Sequence, residues 1–561
     1  MEKRANGLPV AAILLGLGFV LMGLGLTLAG PALADDASLG RVGDGVHPLR
    51  QTDVQMLAEE VRVKVFPERS EVEATFTLLN RGPAVDLLVG FPQALEQADP
   101  ERAEFGDTAL HDFHAWVGGR EAPVQLEKAA TGGQGFLAGE TAPPESGVPG
   151  SPALPSYPAW YTFPVSLAAG EKVEVRNTYW VKNTTWSNGE VETGYILQSG
   201  ATWAGPIGRG RVELVLEGIE PYRVLGARPG NWRLEKENTY VWEFADWEPD
   251  QDITLHFSNR PGPAFYLLVR PEIDALFRDG RYAESLPLLD QALRDASLAE
   301  GERQVLLFRK ALALQEAGRL QEARVLWEAN LDLSPPPGAR AQEVLPDKSP
   351  ARELVEDGYR LTDDPAAYYY LARIYRQQGD LEALSLLYHQ VVNRHMGLPL
   401  QRWLELYLPA SERVRPAPPV VARAEIELDH IFAKGRPLIA VELADPDGDL
   451  WQWSLRAWTV SGGPEVVLAE QQEEVWYGET YSKQARVPLP PQPPGTVIYY
   501  QVSARDGAGH VAQSGVQAWT LPSAGQPSQE DSGFLASLCK FLQVLQFISK
   551  FDWPGAGAHQ H

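Results

Sequence analysis

Val61, Val63 and Val65 stand on one side of an extended chain, and Arg62 and Lys64 on the other. A second stretch repeats the pattern, with Val72, Ala74, Phe76 and Leu78 alternating against Glu71, Glu73, Thr75 and Thr77. An apolar residue at every second position marks a strand with one buried face. Pro67-Glu68-Arg69-Ser70 between the two stretches is turn-forming, so the pair is predicted to be a hairpin. Asn80-Arg81-Gly82-Pro83 makes another turn before the apolar run from Val85 to Phe91, and residues 131–158, rich in Gly, Pro and Ala, read as a long loop. Alternation resumes at Lys172-Val173-Glu174-Val175-Arg176, at Thr193 to Leu197 and at Arg211 to Leu216. The pattern predicts an N-terminal antiparallel β domain over residues 45–262.

From residue 264 to 412 the period becomes helical. Gly280-Arg281-Tyr282-Ala283-Glu284 precedes Leu288, Leu289, Ala292 and Leu293. Gly318-Arg319-Leu320-Gln321-Glu322 precedes Leu326, Trp327 and Leu331, and Gly379-Asp380-Leu381-Glu382 precedes Leu387 and Val391. Each glycine follows a helix-like stretch, so each marks the tight turn of a helix pair. The units resemble tetratricopeptide repeats, at spacings of 38 and then 61 residues against the family's roughly 34. The wider gap holds an inserted stretch from Pro335 to Pro350. Such units bury their apolar faces by stacking, and the resemblance implies a groove suited to an extended protein segment. A stack that only spaces two β domains is the plainer alternative.

A Pro-rich joint around Pro416-Ala417-Pro418-Pro419 leads into a second β region, residues 418–522. Val421 to Leu428 alternates, and the stretch from Val497 to Ala504 runs into the turn Arg505-Asp506-Gly507-Ala508-Gly509. Strands and turns of this size and order resemble an immunoglobulin- or fibronectin-like sandwich. The tail 523–561 carries one amphipathic helix, residues 533–551. There Phe534, Leu538, Phe541, Leu542 and Leu545 form an apolar face opposite Ser537, Lys540, Gln543 and Lys550. It is short for a membrane span, and suits an interface, a partner or its own protein. The predicted class is therefore multidomain α and β.

A further resemblance covers about residues 50–260. Glu59-Glu60-Val61-Arg62-Val63, Asn80-Arg81-Gly82-Pro83 and Gly90-Phe91-Pro92 resemble the first half of a bacterial domain family of unknown function. Asp112-Phe113-His114-Ala115-Trp116-Val117, Tyr195 to Trp203 and Gly205-Pro206-Ile207-Gly208 resemble its later half. The resemblance implies an architecture and no activity.

Residues 1–34 add an address. A charged start, Glu2-Lys3-Arg4, precedes an almost wholly apolar run from Leu8 to Gly30, which closes on Ala32-Leu33-Ala34. That is a secretory signal cleaved after Ala34, or an N-terminal anchor if retained. Either way the rest of the chain is expected outside the cytoplasm, secreted or held at the cell envelope. One cysteine, Cys539, excludes an internal disulfide or a Cys-based metal cluster. Its apolar neighbours suit packing more than nucleophilic work. A net charge of −25 argues against nucleic acid as a partner.

Candidate chemistry is sparse. His111-Asp112-Phe113-His114 offers two imidazoles and a carboxylate, enough for a metal-dependent hydrolase if they converge. On a regular strand, however, positions 111 and 114 face opposite sides. Asp445-Pro446-Asp447-Gly448-Asp449 offers oxygen ligands for Ca²⁺, and is equally the composition of a turn. No H-E-x-x-H, G-x-S-x-G or P-loop motif occurs. Among the 16 Trp, those at 180 and 186, 242 and 247, and 451, 453 and 458 are clustered, as core residues or as platforms for sugars. The reading is an exported, non-enzymatic binding or scaffold protein with a protein partner at its helical repeats and no cofactor. A glycan-binding envelope protein and a hydrolase at His111 and His114 are the alternatives.

Overall fold

The computed structural model describes residues 37–42, 45–48, 53–93, 109–128, 159–249, 251–331, 333, 359–414, 417–429, 436–460, 465–475 and 482–522. The leader 1–34, the loop 131–158, the insertion from Pro335 to Pro350 and the tail 523–561, with its helix 533–551 and Cys539, lie outside them. The chain is mixed α and β and divides into two compact units, the first ending at Pro416 but including Asp447–Asp449, the second made of the rest from Ala417.

Three sheets share one apolar core in the first unit. An eight-stranded sheet runs in the order β15 (Arg233–Lys236), β16 (Thr239–Trp247), β13 (Ile207–Leu216), β3 (Val54–Val65), β4 (Arg69–Asn80), β10 (Lys172–Lys182), β6 (His111–Val117), β7 (Arg120–Glu121). A five-stranded sheet has the order β2 (Gly45–Pro48), β1 (Ala37–Val42), β5 (Val85–Gln93), β9 (Ala159–Leu167), β8 (Gln125–Lys128). A four-stranded sheet has β11 (Thr184–Thr185), β12 (Glu190–Tyr195), β17 (Ile253–Ser258) and β14 (Val224–Arg228). The hairpin of β3 and β4 forms with Val65 opposite Ser70, and its turn closes by Phe66 N–H donating to Arg69 O at 2.9 Å. Val61, Val63, Val65, Val72, Ala74, Phe76 and Leu78 are buried against Val89, Phe91, Phe163 and Val165 of the five-stranded sheet. Period-two patterning has here become a two-layer core.

One expectation is corrected. The eight-stranded sheet is not wholly antiparallel, because β13 pairs with β3 in parallel, Val212 opposite Val61. The two strands are far apart in sequence, so no tight turn dictates their direction.

The helices are α1 (Pro263–Tyr266), α2 (Pro271–Arg278), α3 (Tyr282–Ala292), α4 (Glu300–Glu316), α5 (Leu320–Asn330), α6 (Pro365–Gln378), α7 (Leu381–Asn393) and α8 (Leu398–Glu405). The turns of α2–α3, α4–α5 and α6–α7 are built alike. Gly280, Gly318 and Gly379 have φ of 69°, 76° and 69°, a region that costs other residues strain. After each glycine the next N–H reaches a carbonyl five residues back: Arg281 to Leu276, Arg319 to Leu314, Asp380 to Tyr375. That is a Schellman ending, which satisfies carbonyls the helix cannot. Side chains then brace the start of the following helix, by an ion pair in the first two hairpins and by a cap in the third. Arg281 binds both carboxylate oxygens of Glu284, Arg319 those of Glu322, and Asp380 accepts from Ala383 N–H.

One set of contacts ties the helices to one another, and a second ties them to the β layers. Arg309 of α4 is fully buried; it pairs with Asp274 and donates to the carbonyls of Ala264 and Leu267 at 2.8 and 2.7 Å. The helix α1 and its C-terminal end are thus fastened against α4. Tyr222 packs on Tyr369 and Tyr370 of α6, and Arg376 pairs with Glu237 at 2.8 Å.

The second unit has two sheets: β18 (Val420–Asp429), β19 (Arg436–Ala444) and β22 (Ser482–Pro488); and β21 (Glu465–Glu474), β20 (Leu450–Val460), β23 (Val497–Asp506) and β24 (Val511–Gln513), with β25 (Gln517–Thr520) also on β23. Ile439, Val441 and Leu443 share a core with Trp453, Leu455, Ile498 and Val502.

Candidate functional site

The outer face of the eight-stranded sheet carries an open row of aromatic, imidazole and guanidinium groups on β6 and β10. A β-bulge creates it. Asp112 sits at φ 51°, and the pairing of β10 with β6 shifts, so that Thr178 faces His114 while Trp180 faces His111. Thr178 and Trp180 are two residues apart and share a face. His111 and His114 therefore lie on the same face, which corrects the expectation of opposite sides. The extra residue of a bulge changes the parity of a strand.

Each group in the row has a defined neighbour. The His111 ring stacks on Trp180 with centroids 3.9 Å apart and planes 13° from parallel. Trp180 Nε1–H donates to Asp112 Oδ2 at 2.9 Å. His114 Nδ1–H donates to Glu121 Oε1 at 2.9 Å, and its ring lies beside Trp116 at 5.8 Å. Arg176 stacks over Trp116 at 4.0 Å and pairs with Glu73 at 3.5 Å. His114 is 51% and Arg176 38% exposed in their side chains, so the row faces water. The two imidazoles are engaged separately, one by an aromatic ring and one by a carboxylate.

The acidic loop joins β19 to β20. Asp445, Asp447 and Asp449 are all buried between β19 and β20. Among the described residues, the group of acidic, His or Cys side chains near enough to share a cation is Asp445, Asp449 and Asp506, with one oxygen from each within 4.8 Å of the others. Asp447 is not in it. Asp506 was not singled out from sequence; its position in the turn Arg505-Asp506-Gly507 is the signal that marks it. Carboxylates this close repel unless donors, protons or a cation offset them. Asp506 receives His510 N–H at 2.7 Å and pairs with His510 Nδ1 at 2.6 Å.

A third polar cluster is enclosed in the first unit. Glu192 Oε2 and His256 Nε2 are 3.3 Å apart on paired strands, and both are buried. Burial lifts the Glu192 carboxyl to about 7, against an opposing pull from Arg228. Burial, then the charge of Arg228, drops the His256 imidazole to about 4. Among the described residues no helix is long and apolar enough to cross a membrane.

No protein-family model and no curated protein matches the chain. Among solved structures, it is similar at 16% identity and a TM-score of 0.31 to a Legionella pneumophila protein provisionally described as nutrient-binding, over 50% of this chain and 99% of that one. It is also similar to the Legionella pneumophila aminopeptidase A solved with aspartic acid, at 9% identity and a TM-score of 0.16, over 81% of this chain and 58% of that one. At these TM-scores neither likeness carries an argument about this chain.

Proposed function

We propose that the chain is an exported, envelope-associated protein that works by binding, and that its ligand lies on the outer face of β6 and β10. The single observation that supports this is the row His111, Trp180, His114, Trp116 and Arg176: large planar groups, ordered by one another on a face where the indoles are half-buried and His114 and Arg176 reach water. A contiguous row of partly open aromatic surface on a sheet face suits an interaction site. The leader of residues 1–34 supports export. We read the three Schellman hairpins as degenerate tetratricopeptide-like repeats and the second unit as immunoglobulin-like.

A protein partner on the helical layer is the second reading. It is favoured by Arg309, which holds α1 and the residue after it through the main-chain carbonyls of Ala264 and Leu267. The same contact means that a partner there would have to displace residues 264–267, whereas the sheet face is open.

Co-sedimentation with purified envelopes tests the proposal. The full-length chain is expected to sediment with them, and a Trp116→Ala/Trp180→Ala variant of unchanged circular dichroism to remain in solution. Equal sedimentation of the two proteins would overturn the assignment of the face. Sequencing the mature N-terminus tests export, with Asp35 expected first.

A further inference from the structure

We infer that the segment 533–551 of this chain docks as a helix on the outer face of the sheet of β20 and β23, at the end where the chain leaves β25. One row of apolar side chains runs there across four paired strands. Val467 of β21 stands opposite Trp458 of β20, Trp458 opposite Tyr499 of β23, and Tyr499 opposite Ala518 of β25. Val460 and Val497 widen the row by one step along their strands. The intervening Thr459 and Ile498 are buried, so the row points away from the core. Val460 is 52% and Val467 45% exposed. Trp458 and Tyr499 are half-buried, their rings stacked with centroids 6.0 Å apart. Beyond this row the face turns polar, with Arg456 opposite Gln501 and Ser454 opposite Ser503.

The size of the band selects a tethered occupant. Four strands at their usual spacing span about 14 Å and two outward rows about 7 Å, an area on the order of 100 Å². A separate protein or a second copy needs about 800 Å² on each side. A segment of the same chain meets the band at an effective concentration on the order of millimolar, so a small contact suffices. The chain also leaves β25 beside the band, where Thr520 is paired with Val497. The apolar face that the sequence predicts from Phe534 to Leu545 is about 17 Å long as a helix, which matches the width of the four strands. The stretch between Pro522 and Phe534 reaches up to about 40 Å, ample for the docking. Charge agrees with the fit. The charged residues of 533–551 are Lys540 and Lys550. On β21, Glu465 and Glu470 bracket Val467, with Glu473 and Glu474 beyond and no cation on that strand. Arg456 pairs with Glu465 at 2.7 Å, and the edge stays net negative toward the two lysines.

The experiment moves the single thiol of the chain to the centre of the apolar face, in full-length Leu538→Cys/Cys539→Ser protein, and follows its reaction with N-ethylmaleimide by intact mass. The thiol is expected to react about tenfold slower than in the same protein carrying Val460→Lys and Val467→Lys, since a docked fraction of about nine-tenths leaves one-tenth open to the reagent. Both valines are half-exposed, so circular dichroism and the thermal midpoint are expected to stay close to the parent's. Leu545→Lys, a change in the segment that leaves the sheet untouched, is expected to free the thiol to the same extent. The slowing is expected at low and high protein concentration alike, and without lipid. Equal rates in the parent and in the Leu545→Lys protein would overturn the inference. So would slowing that survives both valine changes in a folded protein. Slowing that grows with protein concentration would assign the segment to a second copy instead. Slowing seen only with vesicles of phosphatidylethanolamine and phosphatidylglycerol would assign it to a membrane, and either result refutes docking on this face.

Discussion

Glu192 and His256 form a buried cross-strand pair between β12 and β17, 3.3 Å apart, whose two titrations oppose each other. The folded Glu192 carboxyl is raised from 4.5 to about 7, so the folded state binds its proton more tightly than the unfolded chain. Its contribution to stability therefore falls as pH rises from about 4.5 to 7. The folded His256 imidazole is lowered from 6.5 to about 4, so its contribution falls as pH drops from about 6.5 to 4. Between about 4.5 and 6.5 the two slopes have opposite sign. Glu192→Gln removes the first slope and leaves the second. The expected result is that urea midpoints of the variant drop on acidification from pH 6.5 to 4.5 more steeply than those of the wild type.

Asp364 gives a second pH effect with one sign only. Its side chain caps α6 by accepting from Ala366 N–H at 3.0 Å and takes Tyr359 O–H at 2.7 Å. Burial outweighs these donors and raises the carboxyl to about 6. Stability from this group is lost as pH rises from about 3.8 to 6, since the charged form is the buried one. Asp364→Asn keeps a capping oxygen and removes the charge. The variant is expected to match wild type near pH 4 and to exceed it near pH 7. Thermal midpoints at the two pH values check this.

The β3–β4 hairpin and the three helix turns were legible in the sequence because their rules are local. A valine at every second position decides a strand face, and a glycine after an apolar helix decides a turn. What was not legible depends on partners distant in the chain or on one backbone angle. His111 and His114 share a face because Asp112 takes a positive φ, which residue type alone does not announce. Asp506 joins Asp445 and Asp449 only because β23 pairs with β20. Trp clusters were ambiguous for the same reason. Trp242 and Trp453 are in cores, whereas Trp180, in an equally alternating strand, is half-buried on the outer face against His111.

Arg309 is expected to be the costliest single residue of the helical layer. It is fully buried, and it satisfies Asp274 and the carbonyls of Ala264 and Leu267 at once. Arg309→Ala leaves a buried carboxylate and two carbonyls without their donor, a loss of about 3–5 kcal/mol. Arg309→Met combined with Asp274→Leu removes the charges together and is expected to recover a large part of it. Chemical denaturation of the three proteins measures the difference, and equal losses in the single and double variants would refute the argument.

Two glycines with different reasons for being glycine separate strain from collision. Gly318 ends α4 at φ 76° with nothing within 4 Å of an added Cβ. Gly318→Ala therefore meets only the left-handed backbone cost, about 1–2 kcal/mol. Gly194 lies in β12, where an added Cβ would stand 2.0 Å from the carbonyl oxygen of Ile253 on β17. That neighbour is backbone of the paired strand and cannot rotate away. Gly194→Ala must part β12 from β17, next to Glu192 and His256, at a cost of about 3 kcal/mol or more. The expected order is that Gly318→Ala folds with a modestly lowered urea midpoint, and Gly194→Ala either fails to fold or unfolds at far lower urea. Hydrogen exchange at the Tyr195 and Thr254 amides reports whether the pairing of β12 and β17 is the element lost.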